Sequence, residues 1–507
     1  KILENSTMNS KVIHWQDFDL SAFGIAKNLQ EKHNCDLFTI IDIPNRPKKF
    51  FQEQSFVKYQ KKWFYHDHIS PNKKPDIEYL KYIEKNYKID IWKIAYNDRI
   101  FFKYNDFYKF TSDEVLSIIE QSCKLFENVL DEINPDFLLM PVTNSGRMHI
   151  FYEMCKAKGI KVLMMIGSTF GQRCMVSEGA EILDYADELP SSNTSRTLEE
   201  LQNYLKGHDS FKGATQYSEN FQKSNLQFFK AAFNFLLFSK NTNLKTHYTY
   251  FGRTKLRVLF NYIGAIIKKN YRINFINKNL SRKLDDEPFI FFPMITEPER
   301  SLLIASPFYT NQFELLVHVV KSLPIGYKLY VKDHPAMSTR DWRPVSFYKR
   351  IMELPNVKLL HPLTAPYDIL KKCSLVITPG GTTGLEAAFY EKPSITFVDT
   401  LYSKLKSVYF LKNIGDLPGA IRSQLTKKID LDDLNSYVNL IDKNSFEFNW
   451  MGFDTDSHHT FFYGGFYSDV EIEIPVMDGF LQKHQSEFDQ LGLEYAKKIK
   501  QHQEHLS

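Results

Sequence analysis

Short apolar segments alternate with longer amphipathic segments along the first 190 residues of the chain. The apolar segments predict buried strands, and the segments whose apolar positions recur every three or four residues predict helices. This alternation predicts a parallel sheet with helices on both faces. Residues 44–110, rich in Tyr, Phe, Lys and Asp, form an insertion to which the pattern assigns no structure. The predicted strands are 12–15, 37–43, 137–141 and 161–166, and the predicted helices are 22–33, 114–133 and 146–158.

A second unit of the same kind begins at Pro288. Between the two units the chain turns polar, with a loop predicted at 190–195. The predicted strands of the second unit are 289–293, 328–332, 357–360, 375–378 and 394–397, and its predicted helices are 312–322, 365–372 and 383–390. The predicted domains are 1–215 with its insertion at about 44–110, a basic aromatic bridging segment 216–285, the second unit 286–430, and a helical tail 431–507.

The composition is that of an ordinary globular protein, with 43% hydrophobic and 24% charged residues. The net charge of +4 is too small to indicate a nucleic-acid partner. Five cysteines without a CxxC pair fit a reducing cytoplasm better than a secreted disulfide framework. The chain shows no N-terminal signal peptide and no run of the roughly 20 apolar residues that a membrane helix needs. The expected location is therefore cytoplasmic.

The bridging segment has an unusual charge pattern. Residues 240–283 carry eleven Lys or Arg and no Asp or Glu, interleaved with Tyr, Phe and Ile. One interpretation is a pair of solvated helices that connect the domains. The other is a basic, aromatic face that rests on anionic lipid, at the inner face of the cell membrane, or on an anionic acceptor.

The segment 375–397 contains the most informative motif, in which an apolar strand leads into TPGGTTGLE and a predicted helix. Its glycines let the backbone approach a ligand closely, and the helix start offers unpaired N–H groups and a positive dipole end to a phosphate. The glutamate can accept hydrogen bonds from a ribose. The alternative is an ordinary tight strand-to-helix turn. The residues that would contact the nucleotide are Gly380, Gly381, Thr382, Thr383 and Glu386.

Two more polar clusters follow strands of the second unit. Lys332 can supply a point charge to a phosphate, and His334 a hydrogen bond to phosphate or sugar. Glu297 or Glu299 can bind sugar hydroxyls, and Arg300 can neutralise a phosphate. The alternatives are a surface lysine with a capping histidine, and a simple capping box. Because the carboxyl ends of parallel strands share one edge, we expect these clusters to open onto one crevice.

In the first unit, two polar loops that follow strands supply Arg147 and Arg173, which suit an anionic or sugar acceptor. Helix capping explains the first loop equally well. The candidate bases are Asp17, Asp19, Glu178 and Glu181; Asp19 and Glu178 are named as the catalytic pair, although Asp19 equally suits an N-cap.

No metal site is predicted. The pair His458-His459 with Asp454 and Asp456 matches no standard zinc spacing, and a polar loop explains it better. The motifs GxxxxGK[ST], GxGxxG, GxSxG and HExxH are absent, so kinase, hydrolase and metalloprotease functions lack their signatures.

Three motifs occur in order: FFP-x4-PE at 291–299, YVKDHP at 330–335 and TPGGTTGLEA at 378–387. Together they resemble the capsule polysaccharide biosynthesis family, which is related to bacterial Kdo transferases and other surface-carbohydrate glycosyltransferases of the GT-B fold. Asp333 departs from the Lys-Glu-His-Pro usual in Kdo-type enzymes.

The resemblance implies an α/β protein of two Rossmann-like domains that face each other across a central cleft. The C-terminal domain would hold a nucleotide-activated sugar and the N-terminal domain the acceptor, without a metal ion or cofactor. The implied reaction moves a sugar from a CMP-Kdo-like or NDP-hexose donor to a surface polysaccharide or a lipid-linked saccharide. The residues implied to line the donor are Lys332, His334, Gly381, Thr382, Thr383 and Glu386.

Other functions fit the same motifs. A nucleotide-sugar epimerase of the same architecture also uses Gly-Gly before a ribose-binding Glu, and needs no acceptor. A non-catalytic carbohydrate-binding partner in an export complex is a further alternative. A polyol-phosphate transferase of the teichoic acid type usually carries Ser-Asp-Tyr-Ser-Ser, where this chain has Gly-Gly-Thr-Thr.

Overall fold

A computed structural model describes most of the chain, and the strands and helices below are those of its described residues. Residues 190–194 of the predicted loop 190–195, residues 209–224 and the start of the basic stretch, 240–246, lie outside them. The described residues are 10–70, 73–185, 189, 195–208, 225–239, 247–297, 299–338 and 343–506.

The described residues form two α/β domains, each built on one sheet. The strands are β1 Lys11–Gln16, β2 Asp36–Ile41, β3 Lys61–Phe64, β4 Phe137–Met140, β5 Lys161–Gly167, β6 Arg173–Ser177, β7 Phe289–Pro293, β8 Lys328–Lys332, β9 Val357–Leu360, β10 Leu375–Thr378, β11 Ser394–Thr396, β12 Val408–Phe410 and β13 Phe446–Glu447. The helices of the first half are α1 Leu20–His33, α2 Arg46–Glu53, α3 Ile77–Tyr87, α4 Ile91–Asn97, α5 Ser112–Ile133, α6 Gly146–Ala157, α7 Leu198–Gly207, α8 Asn225–Phe238 and α9 Lys255–Asn279. Those of the second half are α10 Arg300–Leu303, α11 Gln312–Ser322, α12 Val345–Met352, α13 Pro366–Lys372, α14 Thr383–Glu386, α15 Leu417–Leu425, α16 Leu431–Asn444, α17 Trp450–Phe461, α18 Ile474–Lys483 and α19 Gln485–Leu506.

The N-terminal sheet has the order β13-β6-β5-β4-β1-β2-β3. Its five strands from β3 to β5 are parallel, whereas β6 pairs antiparallel with β5 and β13 antiparallel with β6. The four strands predicted from the sequence are therefore present. The insertion contributes the edge strand β3, whose sequence KKWF buries a single side chain and so gives no apolar signal. The antiparallel β6 is also absent from the prediction, because residues 167–173 look like an ordinary loop after a parallel strand.

The C-terminal sheet is wholly parallel, with the order β12-β11-β10-β7-β8-β9. This is the doubly wound strand order of a Rossmann fold, and β3 to β5 follow the same order. The predicted strands of this unit are all present, and all four residues of β10 are buried because helices cover both faces of the sheet. The short β12 has only three residues and is the strand that the pattern missed.

The tail from Leu431 packs on the N-terminal sheet instead of standing apart. Its strand β13 extends that sheet, and α19 lies along α1. The fit is close: a Cβ on Gly24 of α1 would lie 2.0 Å from Cε1 of Phe488. Asn28 donates to Asp489 over 2.7 Å. The last segment of the chain therefore completes the first domain.

The carboxyl ends of the two sheets face each other. The Arg300 guanidinium, just after β7, pairs with both carboxylate oxygens of Glu181 and contacts Thr143, which follows β4. Asn97 donates to the carbonyl of Pro307 over 3.2 Å. Two Rossmann-like domains facing across a cleft confirm the predicted GT-B fold class. Among the described residues, none of the helices is both long enough and apolar enough to cross a membrane.

Candidate functional site

Three loops at the carboxyl edge of the C-terminal sheet lie together. The Met294 N–H donates to the carbonyl of Lys332 over 2.9 Å, which joins the loops after β7 and β8. A Cβ on Gly381 would lie 3.1 Å from Cγ2 of Ile295, which joins the loops after β7 and β10. The strands β7 and β10 flank the point where the strand order reverses, and this is where open α/β sheets bind ligands.

A buried ion pair holds two of these loops in place. The carboxylate of Asp333 pairs with Arg343 and accepts hydrogen bonds from the Tyr348 hydroxyl at 2.6 Å and the His334 N–H at 2.7 Å. Arg343 also donates to the Ile295 carbonyl over 2.7 Å and pairs with Glu297 at 3.3 Å. Asp333 replaces the glutamate of the Lys-Glu-His-Pro motif. Its carboxylate holds the loop together through these contacts. Glu297, predicted to bind sugar, contacts Arg343, a residue that no sequence motif signalled.

Lys332 and His334 flank Asp333 at the carboxyl end of β8, and Lys332 is buried. Burial lowers the pKa of the Lys332 ammonium to about 8, although the nearby carboxylates of Asp333 and Glu386 oppose the shift. The lysine therefore stays mostly charged at neutral pH. The Nδ1 of His334 accepts the Ala336 N–H at 3.2 Å, so a neutral His334 carries its proton on Nε2 and can donate from there. Glu386 accepts a hydrogen bond from the Thr382 hydroxyl over 3.1 Å.

The glycine segment is more tightly packed than the sequence suggests. A Cβ on Gly384 would lie 2.8 Å from the Tyr402 hydroxyl, which itself donates to the Gly381 carbonyl over 2.5 Å. Packing against Tyr402 is therefore one reason for these glycines. The predicted helix 383–390 is present as the single turn α14 followed by a 3₁₀ turn, Ala387–Tyr390. Such a short element has a weaker dipole than the helix that the motif predicted.

Arg300 and Glu299, both predicted to bind the donor, begin the short helix α10. The Arg300 guanidinium is engaged by Glu181 and Thr143 of the other domain, so it connects the domains. Glu299 is exposed and its carbonyl begins α10 by accepting the Leu302 N–H. Glu181, named among the candidate bases, is the partner of Arg300.

The carboxyl edge of the N-terminal sheet carries a cavity of about 1100 Å³. Asp17, Asp42 and Asn144 line it from the loops after β1, β2 and β4, together with Gly167 at the end of β5. The inner faces of α8 and α9 and the tail residues from 448 to 495 complete the wall. The strand order of this sheet reverses between β1 and β4, so the cavity too lies at the switch point.

Asp17 is a carboxylate in this cavity whose pKa is shifted to near neutral pH. Burial, with the negative charges of Asp19 and Asp42 nearby, raises the pKa of Asp17 to about 7, against the opposing effect of Arg147. A carboxyl group with that pKa can exchange protons at neutral pH. Asp19 lines the same cavity, but its carboxylate caps α1 by accepting the Ser21 N–H at 2.9 Å. Asp17, which the sequence did not rank above the others, is the better candidate base.

Arg147, which the sequence analysis predicts to bind the acceptor, lines the cavity and is held by Asp42. Its Nε lies 2.6 Å from the Asp42 carboxylate, and Nε2 of His66 lies 3.0 Å from the other oxygen. Burial alone would raise the pKa of Asp42, but Arg147 and His66 outweigh it and lower the pKa. Asp42 and His66 lie 24 residues apart in a region without a motif, so no local pattern signals either residue.

Glu178 and Arg173 lie away from the cavity. Because β6 runs antiparallel, Glu178 at its end reaches the opposite edge of the sheet, where it pairs with Lys161 at 2.9 Å. Arg173 binds Ser445 at 2.8 Å and so attaches the tail to β6. The geometry therefore corrects both positions: neither side chain lines the candidate acceptor site.

Two groupings of metal-ligand side chains are already paired. Glu178, Asp184 and His502 come within 4.8 Å of one another, but Lys498 lies 2.7 Å from Asp184. His458 contacts Asp454 at 3.2 Å, and Asp456 instead contacts His484 and Lys483, both at 2.8 Å.

No family model matches the chain, and no curated protein sequence matches it. Solved structures do. A UDP-GlcNAc 2-epimerase from Methanocaldococcus jannaschii is 14% identical, with a TM-score of 0.25 over 86% of this chain and 100% of that chain. The KpsC beta Kdo 2,7 transferase of Thermosulfurimonas dismutans is 12% identical, with a TM-score of 0.29 over 62% of this chain and 79% of that chain. Its beta Kdo 2,4 transferase is 11% identical, with a TM-score of 0.30 over 60% and 79%. The similar structures thus include Kdo transferases, the class that the sequence motifs resemble, alongside epimerases.

Proposed function

We propose that this protein is a glycosyltransferase that moves a sugar from a nucleotide-activated donor, CMP-Kdo-like or NDP-hexose, to a saccharide acceptor, free or carried on a lipid. The observation that carries the proposal is Asp17, a carboxyl group with a pKa of about 7 inside a cavity of about 1100 Å³. The cavity lies at the carboxyl edge of the N-terminal sheet, and the loops proposed to bind the donor lie at the carboxyl edge of the C-terminal sheet. A transferase needs these two sites, one for each substrate.

The donor would bind in the crevice of the C-terminal sheet. Lys332 and His334 suit the phosphate, since one supplies a positive charge and the other an N–H donor. Glu386 suits the ribose hydroxyls, and the loop 380–383 suits the phosphate oxygens through backbone N–H groups and the Thr383 hydroxyl. Protein cations would stabilise the leaving group in this scheme, which makes a metal ion unnecessary.

The transfer step assigns one role to each side of the cleft. The acceptor hydroxyl gives its proton to the Asp17 carboxylate, and its oxygen forms a bond to the anomeric carbon of the donor sugar. The bond between that carbon and the phosphate oxygen breaks, and the nucleotide leaves with the electron pair. Lys332 and His334 stabilise the negative charge that develops on the phosphate.

The test begins with a thermal-shift panel of CMP-, UDP-, GDP- and dTDP-sugars, because a ligand that binds only the folded state raises the melting temperature. The donor that stabilises the protein is then incubated with and without saccharide acceptors in the presence of EDTA. We expect free nucleotide and an elongated glycan only when an acceptor is present. Isomerised sugar from the donor alone would identify an epimerase, and glycan binding without nucleotide release a non-catalytic carbohydrate-binding protein.

The proposal includes a location of the protein at the inner face of the cell membrane. Residues 240–283 carry eleven basic and no acidic residues, which favours a position at the anionic inner face of a membrane.

A further inference from the structure

Helices α8 and α9 each expose a continuous apolar stripe. On α8 the stripe has spacings of three and four residues, and on α9 it continues for four turns with the same spacing. Phe229 and Phe260 are 67% and 71% exposed, values typical of surface lysines rather than phenylalanines. The stripe residues are Leu226, Phe229, Phe233 and Leu237 on α8, and Leu256, Phe260, Ile263, Ile267 and Tyr271 on α9.

The two helices form an antiparallel pair, so their stripes lie side by side. The ring of Phe228 near the start of α8 stacks on Tyr262 with centroids 5.1 Å apart. Near the end of α8, the carbonyl of Leu236 accepts a hydrogen bond from Lys255 at the start of α9, over 2.6 Å. The result is one broad apolar surface of the kind that marks a binding site.

The opposite face of the same pair lines the acceptor cavity. Phe228, Ala231 and Phe235 of α8 and Leu259 and Tyr262 of α9 are cavity residues. A single helix pair therefore separates the cavity from the exposed apolar surface. Both of its faces are apolar, but among the described residues only the inner one is covered by the domain.

The charges on the two helices that bear the stripes have one sign. Neither helix contains Asp or Glu, whereas α8 carries Lys230 and α9 carries six lysines or arginines, of which Arg272 is buried. Lys230 and Lys268 are exposed beside the stripes. Aromatic and aliphatic side chains on helices whose only charged residues are basic match the interface of an anionic bilayer, where rings enter the headgroup region and cations meet phosphates.

We infer that α8 and α9 form a docking surface for an anionic lipid bilayer, into which the two stripes insert. Docking would place the cavity directly behind the membrane-bound helix pair. Resting on the proposed function, this assigns the acceptor to the bilayer surface, so that a lipid carrier stays in the membrane while its saccharide reaches Asp17.

The first test measures binding to vesicles. The protein is sedimented with vesicles of phosphatidylcholine alone or with about 30% phosphatidylglycerol. We expect binding to the anionic vesicles that weakens strongly as salt is raised to about 0.5 M. Phe229→Ser and Phe260→Ser should each weaken it about tenfold. The matched control Phe308→Ser, at a residue 84% exposed in the other domain, should bind like the unsubstituted protein.

A fluorescence experiment tests whether the stripe enters the lipid. The five native cysteines are buried, so an introduced cysteine can be labelled selectively in the folded protein. A polarity-sensitive dye on Phe260→Cys should shift to the blue on adding anionic vesicles, and the same dye on Phe308→Cys should not shift.

Three outcomes would overturn the inference. They are no binding of the unsubstituted protein to anionic vesicles, equal binding by the stripe variants, or a dimer in sedimentation equilibrium that Phe260→Ser dissociates. The last would show that a second copy covers the surface. Because vesicle binding needs no sugar transfer, vesicle binding with an inactive protein would overturn the proposed function and leave the docking surface intact.

Discussion

The two carboxyl edges of this protein carry polar sites that are built in different ways. In the C-terminal domain, Lys332, His334 and Glu386 come from short motifs, each lying within a few residues of a strand end. In the N-terminal domain, Asp17 and Arg147 meet in a cavity whose remaining walls come from α8, α9 and the tail. The first kind of site is visible in a sequence because a motif already contains its neighbours. The second is visible only when distant segments have been brought together by folding.

The largest effect is expected from Asp17→Asn, which tests whether the two edges have separate roles. Without a carboxylate to accept the proton, kcat should fall about 10²- to 10⁴-fold, while donor affinity in calorimetry stays unchanged. The control Glu178→Gln, at the opposite edge of the sheet, should keep full activity. Full activity of Asp17→Asn would remove the proposed base.

The buried pair of the donor crevice gives the next largest effect. Arg343→Leu leaves Asp333 buried without its cation and should lower the free energy of unfolding by about 3–5 kcal/mol in chemical denaturation. The control Lys406→Leu breaks an exposed pair and should leave the stability nearly unchanged. Equal stability of the two variants would contradict the structural role of Asp333.

Glu386→Ala tests the donor site directly. Loss of hydrogen bonds between a carboxylate and the ribose should weaken donor binding by about 10- to 100-fold, which calorimetry can measure. Acceptor binding should be unaffected, since that cavity belongs to the other domain. Glu353→Ala, at an exposed position outside the crevice, is the control. Unchanged donor affinity in Glu386→Ala would remove this assignment.

The smallest effect is expected in the pH dependence, in which the base Asp17 and the donor-site Lys332 titrate at different pH values. Activity should rise as the pH increases through about 7, because Asp17 accepts a proton only when it is deprotonated. Donor affinity should fall as the pH increases through about 8, because Lys332 then loses its charge. The acidic limb of the kcat/KM profile should disappear in Asp17→Asn and persist in Lys332→Met. An identical acidic limb in both variants would assign it to another group.

Sequence reasoning located the parallel strands well and the irregular elements poorly. The strands β4 and β10 are fully buried, so each appears as an apolar run. The edge strand β3 buries one of its four residues and the antiparallel β6 three of its five, so neither is as fully apolar as β4 or β10. The reversal at β6, which the prediction did not contain, carries Glu178 to the edge opposite the cavity, because an antiparallel strand ends on the opposite side of the sheet.

The candidate residues show the same division. The order of motifs predicted that the loops around 297, 332 and 381 share a crevice, and the structure brings them together. Arg343 was missed because it acts from a separate loop, and the pairing of Arg300 with Glu181 could not be predicted because Glu181 belongs to the other domain. The glycines carry a packing constraint from Tyr402 that no local motif contains.

The amino-acid sequence by itself determined the two α/β units, the polar loops at their strand ends and the basic aromatic character of the bridging segment. Burial and local hydrogen bonding act over a few residues, so their pattern can be read along the chain. Only the tertiary structure decided which carboxylate has a pKa near 7, which arginines are committed to ion pairs, and which face of α8 and α9 stays uncovered. These properties depend on desolvation and on charges from distant segments, which become neighbours only in the folded protein.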